Sequence, residues 1–308
     1  MAKVHEVRLS SADRVVFPDP GLTKGDVFAY YEAVGEAIVP HLRDRPFTMR
    51  RFREGIGAEG FYQKDAPKGM PAWIPTFEYL ARPRGAKGGT RLVHFPLVNE
   101  VPALLWMVQM HCIEAHVWLS RVDRPDRPDL LVLDLDPPDG RPDLAVRTAH
   151  AVRALLQEVG LEGYPRTSGG DGMHVVVPVA RRASFGDTEA AAIAIRTILA
   201  ARHPDLVTGT WRVADRGDAV LIDVAQNGMG RTMVAPYSLR PRPGAPVATP
   251  LEWSEVVEDL QPRTLDHRVA VQRLQERGDL AAPLLEAGQA LARPLQALRR
   301  LEREARAT

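Results

Sequence analysis

The sequence predicts a mixed α/β protein, in which a sheet flanked by helices follows an N-terminal subdomain of mixed structure. From about residue 128, short apolar runs typical of strands alternate with longer amphipathic stretches typical of helices. The chain has 308 residues, 45% of them apolar, which is enough for a sizeable core. We therefore expect a single domain over residues 1–308, divided into segments 1–112 and 113–250 and a helical tail, 251–308.

The N-terminal segment predicts one long helix and several strands. Thr23 and Asp26 are typical helix-start residues, and the apolar positions that follow continue to Ile38 before Pro40 ends the helix. The other elements expected here are strands at 47–52, 91–95 and 113–118 and a helix near 100–111, with a proline- and glycine-rich segment at 81–90.

The middle segment alternates between strands and helices. The expected elements are a strand at 130–136, a helix at 142–160, a strand at 173–179, a helix at 187–202 and strands at 219–224 and 231–235. The tail is expected to be mostly helical, with its end at 284–306 either packed across the body or frayed.

Composition excludes several classes of protein. No stretch approaches the roughly 20 apolar residues of a membrane span, and the N-terminus lacks the apolar core of a signal peptide. We therefore expect a cytoplasmic protein with no membrane partner. Cys112 is the only cysteine, which excludes an internal disulfide framework and a zinc-ligand cluster.

The net charge of +1 hides a basic stretch between residues 41 and 91, where 11 Lys and Arg face five Asp and Glu. Within it, cationic side chains alternate with rings at 50–53 and at 61–64. This pattern is typical of surfaces on which rings stack on bases while charges hold the phosphate backbone. The alternative is that Phe52, Phe61 and Tyr62 are core residues of a glycine-rich hairpin.

The apolar run at 130–138 carries two carboxylates, Asp134 and Asp136. In a strand, this spacing places both on one face. Burying two like charges is costly unless cations neutralise them, and hard divalent ions such as Mg²⁺ or Mn²⁺ suit carboxylate oxygens. The alternative is that both are strand-end residues that turn into the loop at 137–140.

Asp223 interrupts a second apolar run, at 219–224. Two adjacent strands could bring it to the first two acids. Three carboxylates can hold two cations that activate an attacking oxygen, neutralise a phosphate and stabilise a leaving group. Alone, Asp223 fits equally well as a strand-terminal surface or capping residue.

A glycine-rich turn at 166–174 leads into the next strand. Such a turn lets backbone N–H groups approach a phosphate, with Ser168 and His174 as further donors. The alternatives are that its glycines merely serve the turn and that His174 is a core histidine.

The combination of these motifs is more specific than each alone. The Asp-x-Asp pair is followed about 35 residues later by SGGxGxH at 168–174, then by LIDxxQN at 221–227, APYSLR at 235–240 and PVATPLEW at 246–253. This series resembles the polymerase domain of bacterial DNA ligase D, a branch of the archaeo-eukaryotic primase superfamily used in non-homologous end joining. The resemblance covers roughly residues 8–260. It implies a primase-like catalytic core with an RRM-like sheet and, since no ligase or nuclease module is present, a stand-alone member.

The resemblance also implies three groups of site residues. Asp134, Asp136 and Asp223 are implied to bind two Mn²⁺ or Mg²⁺ ions and to be catalytic. The residues implied to bind an NTP or dNTP are His116, Ser168, Gly169, Gly170, His174, Arg216, Gln226, Arg231 and Arg240. Those implied to bind DNA and its 5′-phosphate, within segment 1–112, are Arg14, Lys24, Arg50, Phe61, Tyr62 and Lys64.

Some positions depart from the family. Lysine is usual at the position of Asp171, and an acid there would repel a triphosphate unless a metal or a neighbouring arginine intervenes. Arg231 could compensate. Ser11 stands where Asn or His often helps the phosphate site, and Arg14 and Arg50 stand where lysine is common, so that phosphate recognition should survive with altered geometry.

We therefore expect template-directed addition of nucleotides to a 3′-hydroxyl, with the preference for ribonucleotides and Mn²⁺ that the resemblance implies. The implied partners are gapped or broken DNA with a 5′-phosphate, NTPs, a Ku-like end-binding protein and a separate DNA ligase. Two alternatives come from other classes. A metal-dependent nuclease would not need a triphosphate pocket, and a non-catalytic module that binds DNA ends would tolerate an impaired one.

Overall fold

The computed structural model describes residues 5–81, 89–210, 212, 216–286 and 288–307. Its strands are β1 (Val15–Phe17), β2 (Leu22–Thr23), β3 (Phe47–Arg51), β4 (Phe61–Gln63), β5 (Thr76–Ala81), β6 (Arg91–Pro96), β7 (Cys112–Trp118), β8 (Leu130–Asp136), β9 (Tyr164–Thr167), β10 (Met173–Pro178), β11 (Val207–Thr208), β12 (Val220–Asp223) and β13 (Thr232–Val234). Its α-helices are α1 (Lys24–Ala33), α2 (Gly35–Leu42), α3 (Val101–Gln109), α4 (Pro142–Glu158), α5 (Phe185–Arg202), α6 (His267–Arg277) and α7 (Ala292–Ala307).

The larger sheet has the strand order β11-β12-β8-β10-β9, and its neighbours are antiparallel except for the parallel pair β11-β12. Alternate side chains of β8 pack in two different hydrophobic cores. Leu133 and the other odd-numbered residues pack with helices α4 and α5, whereas Val132 packs in a second core with the smaller sheet. Asp134 and Asp136 share the face of Val132, because side chains in a strand repeat every two residues.

The smaller sheet has the order β13-β7-β3-β4 and is antiparallel throughout. It joins two strands of the N-terminal segment to β7 and β13. The sheet thus crosses the expected boundary at residue 112, and the division into segments stays a prediction. Hairpins β1-β2 and β5-β6 form two separate pairs.

The predicted single helix that ends at Pro40 is wrong in its second half. Thr23 caps α1 as expected, since its hydroxyl accepts from Asp26 N and the Asp26 carboxylate accepts from Thr23 N. The helix is interrupted at Val34, however, and Pro40 lies inside α2. Gly35 begins α2 and lies close to α3, since a Cβ at this position would lie 2.8 Å from Val101 Cγ1.

The strand predicted at 130–136 has the bounds of β8, and the other predicted strands and helices of the middle segment are present with shifts of a few residues at their ends. Strands β5 and β9 were not expected. The segment at 81–90 lies mostly outside the described residues. The end of the tail packs across the body rather than frays, since Leu295 and Leu298 of α7 are buried in the same core as α5. In the part of the chain that the structure describes, no helix is long and apolar enough to cross a membrane.

Candidate active site

Three carboxylates meet at one end of the larger sheet. One oxygen each of Asp134, Asp136 and Asp223 lies within 4.8 Å of the others. The strand register explains the meeting, because Asp223 of β12 pairs directly with Asp134 of β8 and Asp136 follows two residues later on the same face. The structure therefore brings together the three acids that the strand patterns singled out.

The surroundings of these acids disfavour three bare negative charges. Burial raises the pKa of Asp134 to about 6. Burial, together with the charges of Asp134 and Asp223, raises the pKa of Asp136 to about 7, and burial also raises the pKa of Asp223. A proton or a cation must offset this repulsion. Since all three donors are carboxylate oxygens, the site suits a hard divalent ion such as Mg²⁺ or Mn²⁺.

Two further residues extend the line of paired residues across the sheet. His174 of β10 pairs with Asp134, and Arg166 of β9 pairs with His174. We call Arg166, His174, Asp134 and Asp223 the carboxylate row. His174 Nε2 lies 3.2 Å from Asp134 Oδ1, and Arg166 Nε donates to His174 Nδ1 over 3.0 Å. Since Nδ1 accepts, the imidazole proton lies on Nε2, the nitrogen that lies beside Asp134.

His174 was predicted to contact a nucleotide phosphate. Its side chain is 2% exposed, its Nδ1 accepts from Arg166, and its Nε2 lies beside Asp134. The contact with a nucleotide phosphate therefore stays a prediction. Arg166 has no counterpart among the predicted site residues, because its segment was interpreted as a turn rather than as strand β9.

The glycine-rich turn lies against the end of β8. Ser168 N donates to Gly172 O over 3.0 Å, and this bond closes the turn. A Cβ at Gly172 would lie 2.5 Å from Leu135 O, so only glycine permits this approach beside the carboxylates. Arg240 NH1 donates to Ser168 O, and Arg242 Cζ would lie 3.4 Å from a Cβ at Gly170. Two arginines therefore border the turn.

Asp171, at the tip of this turn, does not leave an unbalanced negative charge. Its two carboxylate oxygens contact Arg263 Nε at 2.6 Å and NH2 at 2.7 Å, and Gly140 N donates to it over 2.9 Å. A neighbouring arginine thus intervenes, as the sequence analysis allowed. Arg231 lies elsewhere, in the groove described below. Arg263 could not be found from sequence patterns, because 92 residues separate it from Asp171.

Glu114 of β7 is fully buried and lies against two guanidinium groups and an imidazole ring. Arg50 NH1 lies 3.0 Å from Oε2, His116 Nε2 lies 3.3 Å from Oε2, and Arg240 Nε lies 2.5 Å from Oε1. Burial alone would raise the pKa of Glu114, but these three neighbours hold it at about 2. We call Glu114, Arg50, His116 and Arg240 the Glu114 cluster. It unites His116 and Arg240 from the predicted nucleotide residues with Arg50 from the predicted DNA residues.

The remaining predicted nucleotide residues are divided between two places. Arg216 donates through Nε to Thr210 O over 3.0 Å. Its charge partly offsets the rise in the pKa of Asp136, so it lies on the side of the carboxylates. Gln226 and Arg231 line a groove of about 1130 Å³ between β4, β6 and the loop before β13.

The same groove is lined by predicted DNA residues Phe61, Tyr62 and Lys64. Phe61 and Tyr62 are 40% and 55% exposed, whereas Phe52 is buried, so the core alternative holds for Phe52 alone. Arg50 Cζ lies 5.4 Å from the centre of the Tyr62 ring, and Arg53 Cζ lies 5.2 Å from that of Phe61. Exposed rings flanked by guanidinium groups are suited to stacking against bases.

Arg14 and Lys24 lie in a second basic area. Lys24 Nζ donates to Gln109 Oε1 over 2.8 Å and to Ser10 O over 3.1 Å, and Arg14 NH1 donates to Arg53 O over 2.6 Å. Burial and the charge of Arg14 lower the pKa of Lys24. Burial and the surrounding cations, Lys24 first among them, lower the pKa of His111 to about 4. The two predicted phosphate residues thus have several basic neighbours, but Glu54 Oε1 also lies 3.7 Å from Arg14 NH1, and Lys24 is only 2% exposed.

The chain is similar to several known proteins. A family model described as "LigD, primase-polymerase domain" matches residues 23–281. The multifunctional non-homologous end joining protein LigD of Mycolicibacterium smegmatis is 36% identical over 290 residues, which cover 92% of this chain and 37% of the relative. The LigD protein of Pseudomonas aeruginosa is 32% identical over 83% of this chain and 30% of its own length.

A solved structure is also similar. It is the polymerase domain from Mycobacterium tuberculosis ligase D in complex with DNA, with a TM-score of 0.84 and 31% sequence identity. The match covers 92% of this chain and 99% of that domain. The chain therefore spans 37% and 30% of these two curated relatives but nearly all of the solved domain.

Proposed function

Because the chain belongs to the LigD primase-polymerase domain family, we propose that it adds nucleotides to the 3′-hydroxyl of a primer, directed by a template, at gaps and breaks in DNA. The observation that carries this proposal is the meeting of three carboxylates with an arginine-bordered glycine turn at one end of the larger sheet. Carboxylates alone would also suit a nuclease, whereas the basic turn supplies a place for a triphosphate. We also propose that the catalytic core is primase-like and contains an RRM-like sheet.

Asp134, Asp136 and Asp223 would hold the divalent ions, with Mn²⁺ preferred by analogy with the family. When bound there, such ions lower the pKa of an attacking hydroxyl and neutralise charge on the transferred phosphate. His174 and Arg166 keep Asp134 oriented towards the site. Ser168, the glycines beside it and Arg240 would bind the triphosphate, in agreement with their predicted role.

On the DNA side, Phe61 and Tyr62 would stack against the template strand, with Arg50 and Lys64 beside them. Arg14 and Lys24 would bind the 5′-phosphate at the far side of a gap. The relatives named for non-homologous end joining support a role in break repair. A Ku-like protein and a separate ligase are the proposed partners.

The decisive experiment is extension of a labelled primer on a gapped duplex that carries a downstream 5′-phosphate, with NTPs or dNTPs and Mn²⁺ or Mg²⁺. We expect template-directed addition, stronger with NTPs and Mn²⁺. Loss of primer without added nucleotide would support the nuclease alternative. Tight binding of the phosphorylated gap with no addition would support the end-binding alternative.

Arg263→Ala is expected to raise the KM for NTPs roughly fivefold, about 1 kcal/mol, with little change in kcat. The substitution leaves the Asp171 carboxylate unpaired beside the triphosphate site, where it repels the nucleotide. Steady-state extension kinetics measure both constants. Adding Asp171→Asn should restore the KM. Arg277→Ala, which removes another arginine of the tail, is the matched control, and an unchanged KM in Arg263→Ala would contradict this role.

Arg14→Ala is expected to reduce the preference for a 5′-phosphorylated gap over an unphosphorylated one about tenfold, because the phosphate loses one charge-assisted contact. Fluorescence anisotropy with both duplexes at several salt concentrations measures this preference and its salt dependence. Arg303→Ala on α7 removes an exposed arginine far along the chain and should leave the preference intact. Equal weakening on both duplexes would show that Arg14 acts on the general phosphate backbone instead.

A further inference from the structure

The Glu114 cluster lies on a continuous line of paired residues in the smaller sheet. Arg50 of β3 pairs with Tyr62 of β4 on one side and with Glu114 of β7 on the other. The three side chains therefore share one face of the sheet. His116, two residues beyond Glu114, joins this face and meets the Tyr62 ring edge-on at 5.3 Å.

The cluster carries more positive than negative charge in a place with little water. Two guanidinium groups share the single Glu114 carboxylate, which is fully buried, and the side chains of Arg240 and Arg50 are 19% and 32% exposed. A phosphate that approaches Arg50 or Arg240 would add a further anionic partner for these guanidinium groups.

The cluster also holds an unusual share of unpaired polar atoms. Among the described residues, the buried side-chain atoms without a hydrogen bond include Arg50 Nε, Arg240 Nε, Glu114 Oε1 and both ring nitrogens of His116. Buried polar atoms are normally paired. Of these atoms, Arg240 Nε lies 2.5 Å from Glu114 Oε1, and His116 Nε2 lies 3.3 Å from Glu114 Oε2, without a hydrogen bond in either case, so their arrangement can still tighten when a ligand binds.

Glu114 connects two surfaces through its arginines. Arg50 lies under the exposed Tyr62 ring, and Arg240 reaches the glycine-rich turn by donating to Ser168 O. We propose that Glu114 is a positioning residue that couples the two surfaces, so that DNA stacked on Tyr62 strengthens nucleotide binding at Arg240. This inference rests on the proposed function, since it takes the two ligands to be a template strand and a nucleoside triphosphate.

The physical basis is ordering. A base that stacks on Tyr62 fixes Arg50 against Glu114, and Glu114 in turn fixes Arg240. A nucleotide that binds next meets an ordered guanidinium group and loses less conformational entropy. The coupling is reciprocal, so the nucleotide also strengthens binding of the template strand.

The test measures the Kd of UTP with Mn²⁺, with and without DNA. The DNA is a duplex with a recessed 5′-phosphate and a template extension that is abasic at its first unpaired position, so that neither base pairing nor primer extension contributes. For the wild type we expect UTP to bind about fivefold more tightly when DNA is present, at the lower end of typical coupling. Glu114→Gln, which keeps the shape and removes the charge, should bring the ratio within twofold of one.

Arg50→Met is the second variant, for the case that Glu114→Gln does not fold. The Arg50 side chain is partly exposed, so the protein should tolerate its loss. It should remove the coupling. Glu255→Gln, which disrupts the Glu255–Arg273 ion pair in the tail, is the control and should retain the wild-type ratio.

A wild-type ratio of one, or an unchanged ratio in Arg50→Met, overturns the inference. Coupling in a protein that extends no primer would leave this inference standing while the proposed polymerase activity fails. Primer extension without coupling would support the proposed polymerase activity and overturn this inference.

Discussion

Asp136→Asn is expected to lower nucleotide addition by roughly three orders of magnitude, about 4 kcal/mol of transition-state stabilisation. Asparagine keeps the size of the side chain but removes one of the three charges that would hold the divalent ions. Single-turnover primer extension with saturating Mn²⁺ measures the loss. Asp139→Asn, which changes an exposed acid three residues away, is the matched control and should retain full activity.

The same substitution should stabilise the metal-free protein at neutral pH, by about 2 kcal/mol. In the folded protein the pKa of Asp136 is raised to about 7, so the folded state binds more protons than the unfolded state between about pH 4 and pH 7. Stability of the wild type therefore falls as pH rises through this interval, and the full penalty is present above it.

Thermal unfolding in the presence of a chelator, across this pH range, checks the prediction. We expect a shallower pH dependence in Asp136→Asn, and we expect Mn²⁺ to raise the Tm of the wild type more than that of the variant. A variant that loses activity but unfolds with the wild-type pH dependence would show that Asp136 is not the strained carboxylate of the group.

Asp129→Ala is expected to lower the free energy of unfolding by about 3–5 kcal/mol, because it leaves a buried guanidinium group unpaired. Arg45 is 1% exposed and donates to both carboxylate oxygens of Asp129, over 2.7 and 2.8 Å. Arg121 Nε adds a third contact at 3.0 Å. Denaturation by urea at pH 7 measures the change.

The control for this substitution is Asp123→Ala. Asp123 also accepts two bonds from one arginine, Arg181, but its side chain is 59% exposed, and the expected loss is below about 1 kcal/mol. Equal losses in the two variants would mean that burial does not determine the strength of the Arg45–Asp129 pair.

Local sequence patterns predicted the central features of this molecule well. Strand β8 was predicted with its observed bounds because it begins with four consecutive apolar residues and continues in alternation, which placed Asp134 and Asp136 on one face. Asp223 could be added because it too ends a short apolar run. The apolar run and the alternation can both be recognised from the residues of a single strand.

Features that depend on distant partners were not predictable in this way. Arg166 orients His174 only because β9 pairs with β10, and nothing within the turn motif reveals that pairing. The role of Arg263 depends on a contact across 92 residues. Pro40 lies inside α2, although proline has a local preference to end a helix.

The carboxylate row has a consequence for how this chain can change in length. Its four residues are direct partners on four strands, so a one-residue insertion or deletion in β8 or β10 would turn the following side chains to the opposite face. Such a change would separate the side chains of the carboxylate row, whereas the loop at 137–141 can lengthen without moving any of these four residues. Homologous chains and engineered variants should therefore differ in length between these strands and hardly ever within them.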